Sequence, residues 1–232
     1  MNSDASTAPG WFGKLSSLGD FASRRVPAEW VEACDDWLER SMTASRAQLE
    51  GQWLETYLSA PVWRFAWAPG VIDRRWWFGV LMPSCDNVGR YFPLVVVQSR
   101  ERPPVERIGL DHLDLWWGHV ARAALQTLHE HSEVDEFEAD LAATPPWPLA
   151  PRSASTLPAT DAQERFHVPV GSAVSLIELA RAWAAQEMLD RLQGCSIWWP
   201  MAGADLSSAP AVTVTKGLPQ AARFADLLTL RW

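Results

Sequence analysis

The chain has 232 residues, of which 48% are hydrophobic and 21% charged, a composition typical of a globular protein with a sizeable core. Disordered and fibrous architectures are therefore excluded for most of its length. The formal net charge is −8, which argues against a nucleic-acid binder because binding to phosphates needs a basic surface.

Residues 1–10 are small and polar, so they are predicted to be disordered. They lack the basic and apolar regions of a signal peptide, and no later apolar run is long enough to span a bilayer. The three cysteines are far apart and form no C-x-x-C pair, as expected in a reducing compartment. The sequence therefore predicts a cytoplasmic protein without membrane insertion.

The first ordered elements are predicted from Trp11 onward. A short strand at 11–15 is followed by a turn at 16–20. Pro27 then opens a long amphipathic helix, because apolar residues recur at steps of three and four as far as Leu49. We expect this helix to be interrupted at Gly51 and to resume through Leu58.

From Pro61 the pattern changes and predicts three strands. Residues alternate over 62–68, the run 76–82 is apolar, and 91–98 ends with three consecutive valines. The turns between them are too short for parallel crossovers, so the pairing is expected to be antiparallel. A helix over 110–128 and a shorter acidic one to Leu141 follow. The apolar stripe of the first is predicted to comprise Leu110, Leu113, Trp117, Val120, Ala121, Ala124 and Leu128.

A Pro-rich stretch at 143–163 is predicted to be a loop between a main part, 11–142, and a C-terminal part, 164–232, that packs onto it. The C-terminal part reads as a helix ended by Gly194, strands at 196–200 and 212–215, and a final helix opened by Pro219. Together these elements predict one domain over 11–232 of the α/β (α+β) class. Its mostly antiparallel central sheet of about five strands has helices packed on its faces.

The 15 tryptophans are the most unusual feature of the composition. Because large aromatic side chains bury much area, we expect a Trp-rich core rather than an exposed aromatic binding surface.

The common enzyme signatures are absent from the sequence. It has no phosphate-binding glycine motif and no G-x-S-x-G nucleophile elbow, and its five histidines lack the spacing of a zinc site. No catalytic residue, cofactor or metal ligand is therefore predicted, and we expect a protein that is not an enzyme.

Two segments, 13–25 and 83–93, place charged and polar side chains in turns between apolar elements. Asp86 and Gly89 suit a tight turn that brings Arg90 within reach of Asp86 or Asp20. Such loops could form an anion-binding, small-ligand or hydrolytic site, or a hairpin loop held by an ion pair. The absence of a nearby histidine or second carboxylate favours the structural interpretation. The candidate structural or partner-contact residues are Lys14, Asp20, Arg24, Ser84, Asp86 and Arg90.

At these same segments the sequence resembles the TagF family, which is associated with the type VI secretion system of proteobacteria. The likeness is close over about residues 11–100 and weaker beyond. Ser16 departs from it, since the family usually has proline there. The matching stretches are Trp11–Leu15, Gly19–Phe21, Arg24, Val26–Pro27, Asp36–Leu38, Ala60–Phe65 and, most specifically, Gly79–Leu94.

The resemblance implies a cytoplasmic protein that represses type VI secretion post-translationally by binding the forkhead-associated scaffold protein of the apparatus. It carries over no catalytic residue. Some relatives are fused to a protein phosphatase of the pathway, whose metal-binding carboxylate motifs are absent here. We therefore expect that phosphatase, as a further partner, to be a separate polypeptide.

Overall fold

The computed structural model describes residues 8–129, 131–146, 176–201 and 211–231. In chain order its elements are β1 (Gly10–Gly13), β2 (Ala22–Arg24), α1 (Ala28–Leu49), α2 (Trp53–Ser59), β3 (Trp63–Trp67), β4 (Trp76–Met82), β5 (Leu94–Arg100), α3 (Arg107–Gln126), α4 (Val134–Ala142), α5 (Leu176–Arg191), β6 (Cys195–Pro200), β7 (Thr213–Lys216) and α6 (Phe224–Thr229). Short 3-10 turns precede α2 and α6.

The seven strands of the described residues form one sheet in the order β2-β1-β5-β4-β3-β6-β7, and every neighbouring pair is antiparallel. The predicted class and antiparallel sheet are confirmed, but the sheet has seven strands instead of about five. The strand that the sequence did not reveal is β2, whose three residues are too few to show alternation. It exists because the chain turns back after β1 and pairs Gly13 with Ala22.

The sheet is covered on both faces, so its central strand is buried along its whole length. In β4, Trp76, Phe78 and Val80 face the helices α3 and α4, whereas Trp77 and Leu81 face α1, α2 and α6. Eleven tryptophans are buried among the described residues, which confirms the Trp-rich core. They pack ring against ring, as Trp30 and Trp67 do with centroids 5.6 Å apart.

The predicted helices agree with the structure to within a few residues, with two differences. The buried stripe of α3 excludes Leu110 and Leu128, which are about half exposed. The helix expected at Pro219 begins at Ala221 as a 3-10 turn. Gln220 has a non-helical ψ of 139°, and the buried Pro219 is held by its carbonyl, which accepts the indole N–H of Trp37. Residues 1–7, and the part of the Pro-rich stretch from 147 to 163, lie outside the described residues.

Candidate functional site

The candidate site begins where β1 ends, beside the first residue of β5. Gly13 has φ +133°, and a Cβ built there would collide with the carbonyl oxygen of Pro93. Only glycine fits this close approach of two backbones. The approach carries Lys14 into the interior, where its side chain is almost wholly buried.

The buried ammonium of Lys14 is paired with the carboxylate of Asp86, from the loop between β4 and β5. Lys14 Nζ lies 2.6 Å from Asp86 Oδ2, and Arg90 Nε donates to the same oxygen at 2.6 Å. The other oxygen, Oδ1, accepts the backbone N–H groups of Val88 and Arg90 at 3.1 and 2.8 Å. Asp86 thus folds its own loop and joins that loop to β1.

Arg90 extends the cluster to the loop after β1. Its Nη2 donates to the carbonyl of Gly19, and the backbone N–H of Asn87 donates to the carbonyl of Leu18 at 3.1 Å. The guanidinium therefore bridges two loops that are far apart in the sequence. Of the two carboxylates proposed as its partner, the ion pair is with Asp86, while Asp20 accepts the backbone N–H of Phe21 at 2.8 Å.

Ser84 completes the buried part of the cluster. Its hydroxyl donates to the carbonyl of Lys14 at 2.7 Å. Tyr57, from α2, donates its hydroxyl hydrogen to the carbonyl of Ser84 and accepts the backbone N–H of Ser84, both at 2.9 Å. The side chains of Lys14, Ser84, Asp86 and Arg90 with Tyr57 are called the loop cluster below.

The protonation states in the loop cluster follow from burial and hydrogen bonding. Burial by itself raises the pKa of Asp86, but the hydrogen bonds from Lys14 and Arg90 and from the backbone outweigh it and hold that pKa far below its ordinary value. Burial, together with the charge of Asp86, raises the pKa of the neighbouring Cys85 thiol. At neutral pH Asp86 is thus an ionised carboxylate and the neighbouring Cys85 a protonated thiol, and neither is poised for acid-base work.

Around the buried cluster lies an exposed rim from the same two loops. Phe21 is 47% exposed and Val88 is 68% exposed. The ring of Phe21 meets that of Phe92 edge-on with centroids 4.7 Å apart, and Lys14 Nζ lies 4.7 Å from the centroid of the Phe21 ring. Asp20 and the half-exposed Arg90 complete this rim. Asp20, Phe21, Val88 and Arg90 are called the rim below.

Arg24, the remaining predicted candidate, faces away from the loop cluster toward α4. Its Nη1 lies 3.8 Å from Glu138 Oε1, and Arg25 Nη1 lies 2.6 Å from Glu138 Oε2. The indole N–H of Trp11 also donates to Glu138. Glu138, one of the acidic residues of α4, is mostly buried against β1 and β2. The contact with Arg25 and Trp11 supplies the partners that make this burial possible.

The sequence missed Tyr57 and Phe21 as members of the site. Tyr57 carried no signal, because an aromatic on an amphipathic helix is ordinarily a core residue. Phe21 lies in the conspicuous Gly19–Phe21 segment but was taken only as part of a turn. In the described ranges no group of three or more His, Cys, Asp or Glu side chains is arranged to hold a metal ion. Within the same ranges no helix is long and apolar enough to cross a membrane.

The fold and the site define a mixed α+β domain in which a buried ion pair fixes two loops and presents their exposed rim. The TagF N-terminal domain, described as type VI secretion system-associated, matches residues 10–144, a range that contains the whole loop cluster. The chain belongs to the TagF family, as the motif resemblance predicted. No curated protein sequence matches it.

Among the solved structures that match is one that is similar along almost the whole chain. It is the crystal structure of PA0076 from Pseudomonas aeruginosa PAO1, which is 35% identical, with a TM-score of 0.75. The match covers 95% of this chain and 94% of that one. The likeness therefore extends beyond the N-terminal family domain.

Proposed function

We propose that this protein is a cytoplasmic regulator that represses the type VI secretion system post-translationally by binding the forkhead-associated scaffold protein of the apparatus. The observation that carries the proposal is the family match over residues 10–144, which places the chain among type VI secretion-associated proteins. A regulator of this kind acts by association with a partner, so it needs a preorganised surface more than a catalytic group.

The rim supports this proposal because it is exposed yet held in one conformation. Lys14 and Asp86 form a buried ion pair, and Arg90 extends it to both loops through contacts that reach the surface. Loops that are already ordered lose little conformational entropy on binding, which leaves more of the contact energy as affinity. Phe21, an exposed aromatic braced by Phe92, is the kind of side chain on which interface energy concentrates. We therefore assign the partner contact to the rim.

The side-chain contacts favour this role over the anion-site alternative. The charges of Lys14 and Arg90 both face Asp86, and the Ser84 hydroxyl donates to a backbone carbonyl. A bound anion would have to displace an ionised carboxylate that accepts four hydrogen bonds. The cluster is thus built to hold loops together.

Isothermal titration calorimetry of the purified chain against the scaffold protein tests the proposal, with the scaffold in phosphorylated and unphosphorylated forms. Saturable binding in at least one form is expected. Val88→Asp, which inserts a charge into the rim, is expected to weaken binding at least about tenfold, equivalent to about 1.4 kcal/mol. Val212→Asp is the matched control, because Val212 is similarly exposed and lies next to β7.

Repression in cells gives the second readout. Val88→Asp is expected to release type VI secretion while Val212→Asp leaves it repressed, with both variants keeping the wild-type melting temperature. Absence of scaffold binding in both phosphorylation states, with secretion still repressed, would contradict the proposal. Equal binding by the two variants would exclude the rim as the contact.

A further inference from the structure

The outer face of α3 carries large aliphatic side chains that the core does not use. The helix packs on the sheet through residues such as Leu113, Trp117 and Val120, all buried. On the opposite side, Ile108 and Leu115 are 69% and 66% exposed, and Leu125 is also exposed. Three exposed aliphatic side chains on one helix face are more than solubility favours, so this face has the character of a contact surface.

The residues along this face follow the spacing of a coiled-coil seam. Steps of three and four residues alternate without interruption, which is the a/d pattern of a heptad repeat. The seam positions are Ile108, Asp111, Leu115, Gly118, Arg122 and Leu125. All six lie in one regular helix, and Asp111, Arg122 and the three aliphatic residues are exposed. The seam spans about 26 Å at 1.5 Å per residue.

The seam is complementary to itself when two copies run antiparallel. A two-fold axis between positions 116 and 117 places Ile108 opposite the partner's Leu125. It places Leu115 opposite the partner's Gly118, which has open space around its Cα and admits a larger side chain. Antiparallel coiled coils pair a positions with d positions, as this arrangement does.

The same axis pairs opposite charges. It places Asp111 opposite the partner's Arg122, and symmetry repeats that pair on the other side of the axis. Within the part of the chain that the structure describes, Arg122 makes no ion pair. Asp111 lies 3.7 Å from Arg107 on its own helix, in a pair that is exposed on both sides and is worth little.

We propose that the outer face of α3 is a docking surface for a second copy of this chain, forming an antiparallel two-fold dimer through the six-residue seam. A contact made by one helix from each subunit falls at the small end of specific interfaces, below about 1,200 Å² of buried surface. The dimer is therefore concentration-dependent. This inference does not rest on the proposed function, because the rim and the seam belong to different elements.

Sedimentation velocity of the full chain, at concentrations from roughly 5 to 200 µM, tests the dimer. The wild type is expected to shift from the 25.9 kDa monomer toward twice that mass. Asp111→Arg and Arg122→Asp each place like charges across the axis twice, and each is expected to weaken the dimer at least about tenfold. The double variant Asp111→Arg with Arg122→Asp restores the opposite charges, so wild-type dimerisation is expected to return.

Both substituted side chains are exposed on the monomer, so the variants are expected to keep the wild-type circular dichroism and melting temperature. Leu115→Asp is expected to abolish the dimer, and Leu58→Asp, on α2 with 58% exposure, is its matched control.

A monomer at every concentration would overturn the proposal and leave the seam to another occupant. A dimer that tolerates the single charge reversals, or one that the double variant fails to restore, would also overturn it. Titration of the same variants against the scaffold protein measures scaffold binding separately from dimerisation. A failure of this proposal can therefore be told apart from a failure of the proposed function.

Discussion

Tyr57 on α2 and Ser84 after β4 exchange two hydrogen bonds through one phenolic oxygen. That oxygen lies 2.9 Å from both the backbone nitrogen and the carbonyl oxygen of Ser84. Burial raises the pKa of Tyr57, so the phenol stays protonated and can donate. The pair therefore ties a helix of one layer to the loop that carries Asp86.

Tyr57→Phe is expected to destabilise the protein by about 1 to 3 kcal/mol. The ring still fills its place, but the N–H of Ser84 is left buried without a hydrogen-bond acceptor. That unsatisfied N–H group lowers the free energy of unfolding. In a chain of this length the melting temperature should fall by roughly 2 to 4 °C for each kcal/mol. Differential scanning calorimetry checks the value. An unchanged melting temperature would show that water replaces the phenol without loss.

Stability is expected to fall on acidification in a way that depends on Asp86. Its folded-state pKa is lowered, so the carboxylate stabilises the fold above its ordinary pKa near 4, and this contribution is lost progressively as the pH falls below that value. Asp86→Asn mimics the protonated side chain. The variant should therefore melt well below the wild type at pH 7, and the difference should shrink toward pH 3.

Melting temperatures measured across this pH range test the assignment. Asp20→Asn is the control, since Asp20 is an exposed carboxylate on the neighbouring loop. It is expected to reproduce the wild-type profile. A constant gap between Asp86→Asn and the wild type at every pH would mean that the cost comes from the geometry of the amide rather than from the lost charge.

Gly13 is expected to tolerate no side chain. Gly13→Ala would force a φ of +133° on alanine and drive its Cβ into the carbonyl of Pro93, so a loss of more than about 3 kcal/mol is expected. Gly51→Ala is the matched control, because a Cβ there meets nothing within 4 Å. That variant should be neutral or more stable by about 0.5 kcal/mol. Urea denaturation of both variants measures the contrast, and equal stabilities would refute the proposed constraint.

Local patterns in the sequence predict much of this fold. The three-and-four spacing of Trp30, Cys34 and Trp37 indicates α1, and the apolar run Trp76–Met82 indicates a strand buried on both faces. The pairing of Asp86 with Arg90 also follows from local spacing, because they lie four positions apart on either side of a tight turn. In each case the determining interactions lie within one element or one turn.

Features that depend on contacts between residues far apart in the sequence could not be predicted from local patterns. The exposure of Leu110 depends on which part of α3 the sheet reaches, and that is set by packing rather than by periodicity. Leu128 is exposed because α3 ends before it, at Gln126. Lys14 and Asp86 are 72 residues apart, and no local pattern relates them. They meet because β1 pairs with β5, which brings the loops at the ends of both strands together.

Glu138 offers a last test, since it joins α4 to the β1–β2 hairpin. Its carboxylate accepts from Arg25 and from the indole of Trp11, and these bonds, acting against the effect of burial, lower its pKa. Glu138→Ala is expected to cost about 1 to 2 kcal/mol, because two charge-assisted bonds are lost at a partly exposed site. Glu138→Gln keeps an acceptor for the indole but loses the ion pair, so its cost should be smaller and should decrease in high salt.

Glu136→Ala, at an exposed position on the same helix, is the control and should change stability by less than about 0.5 kcal/mol. Equal effects at the two positions, measured by thermal denaturation, would show that α4 is held to the sheet by Phe137 and Leu141 alone.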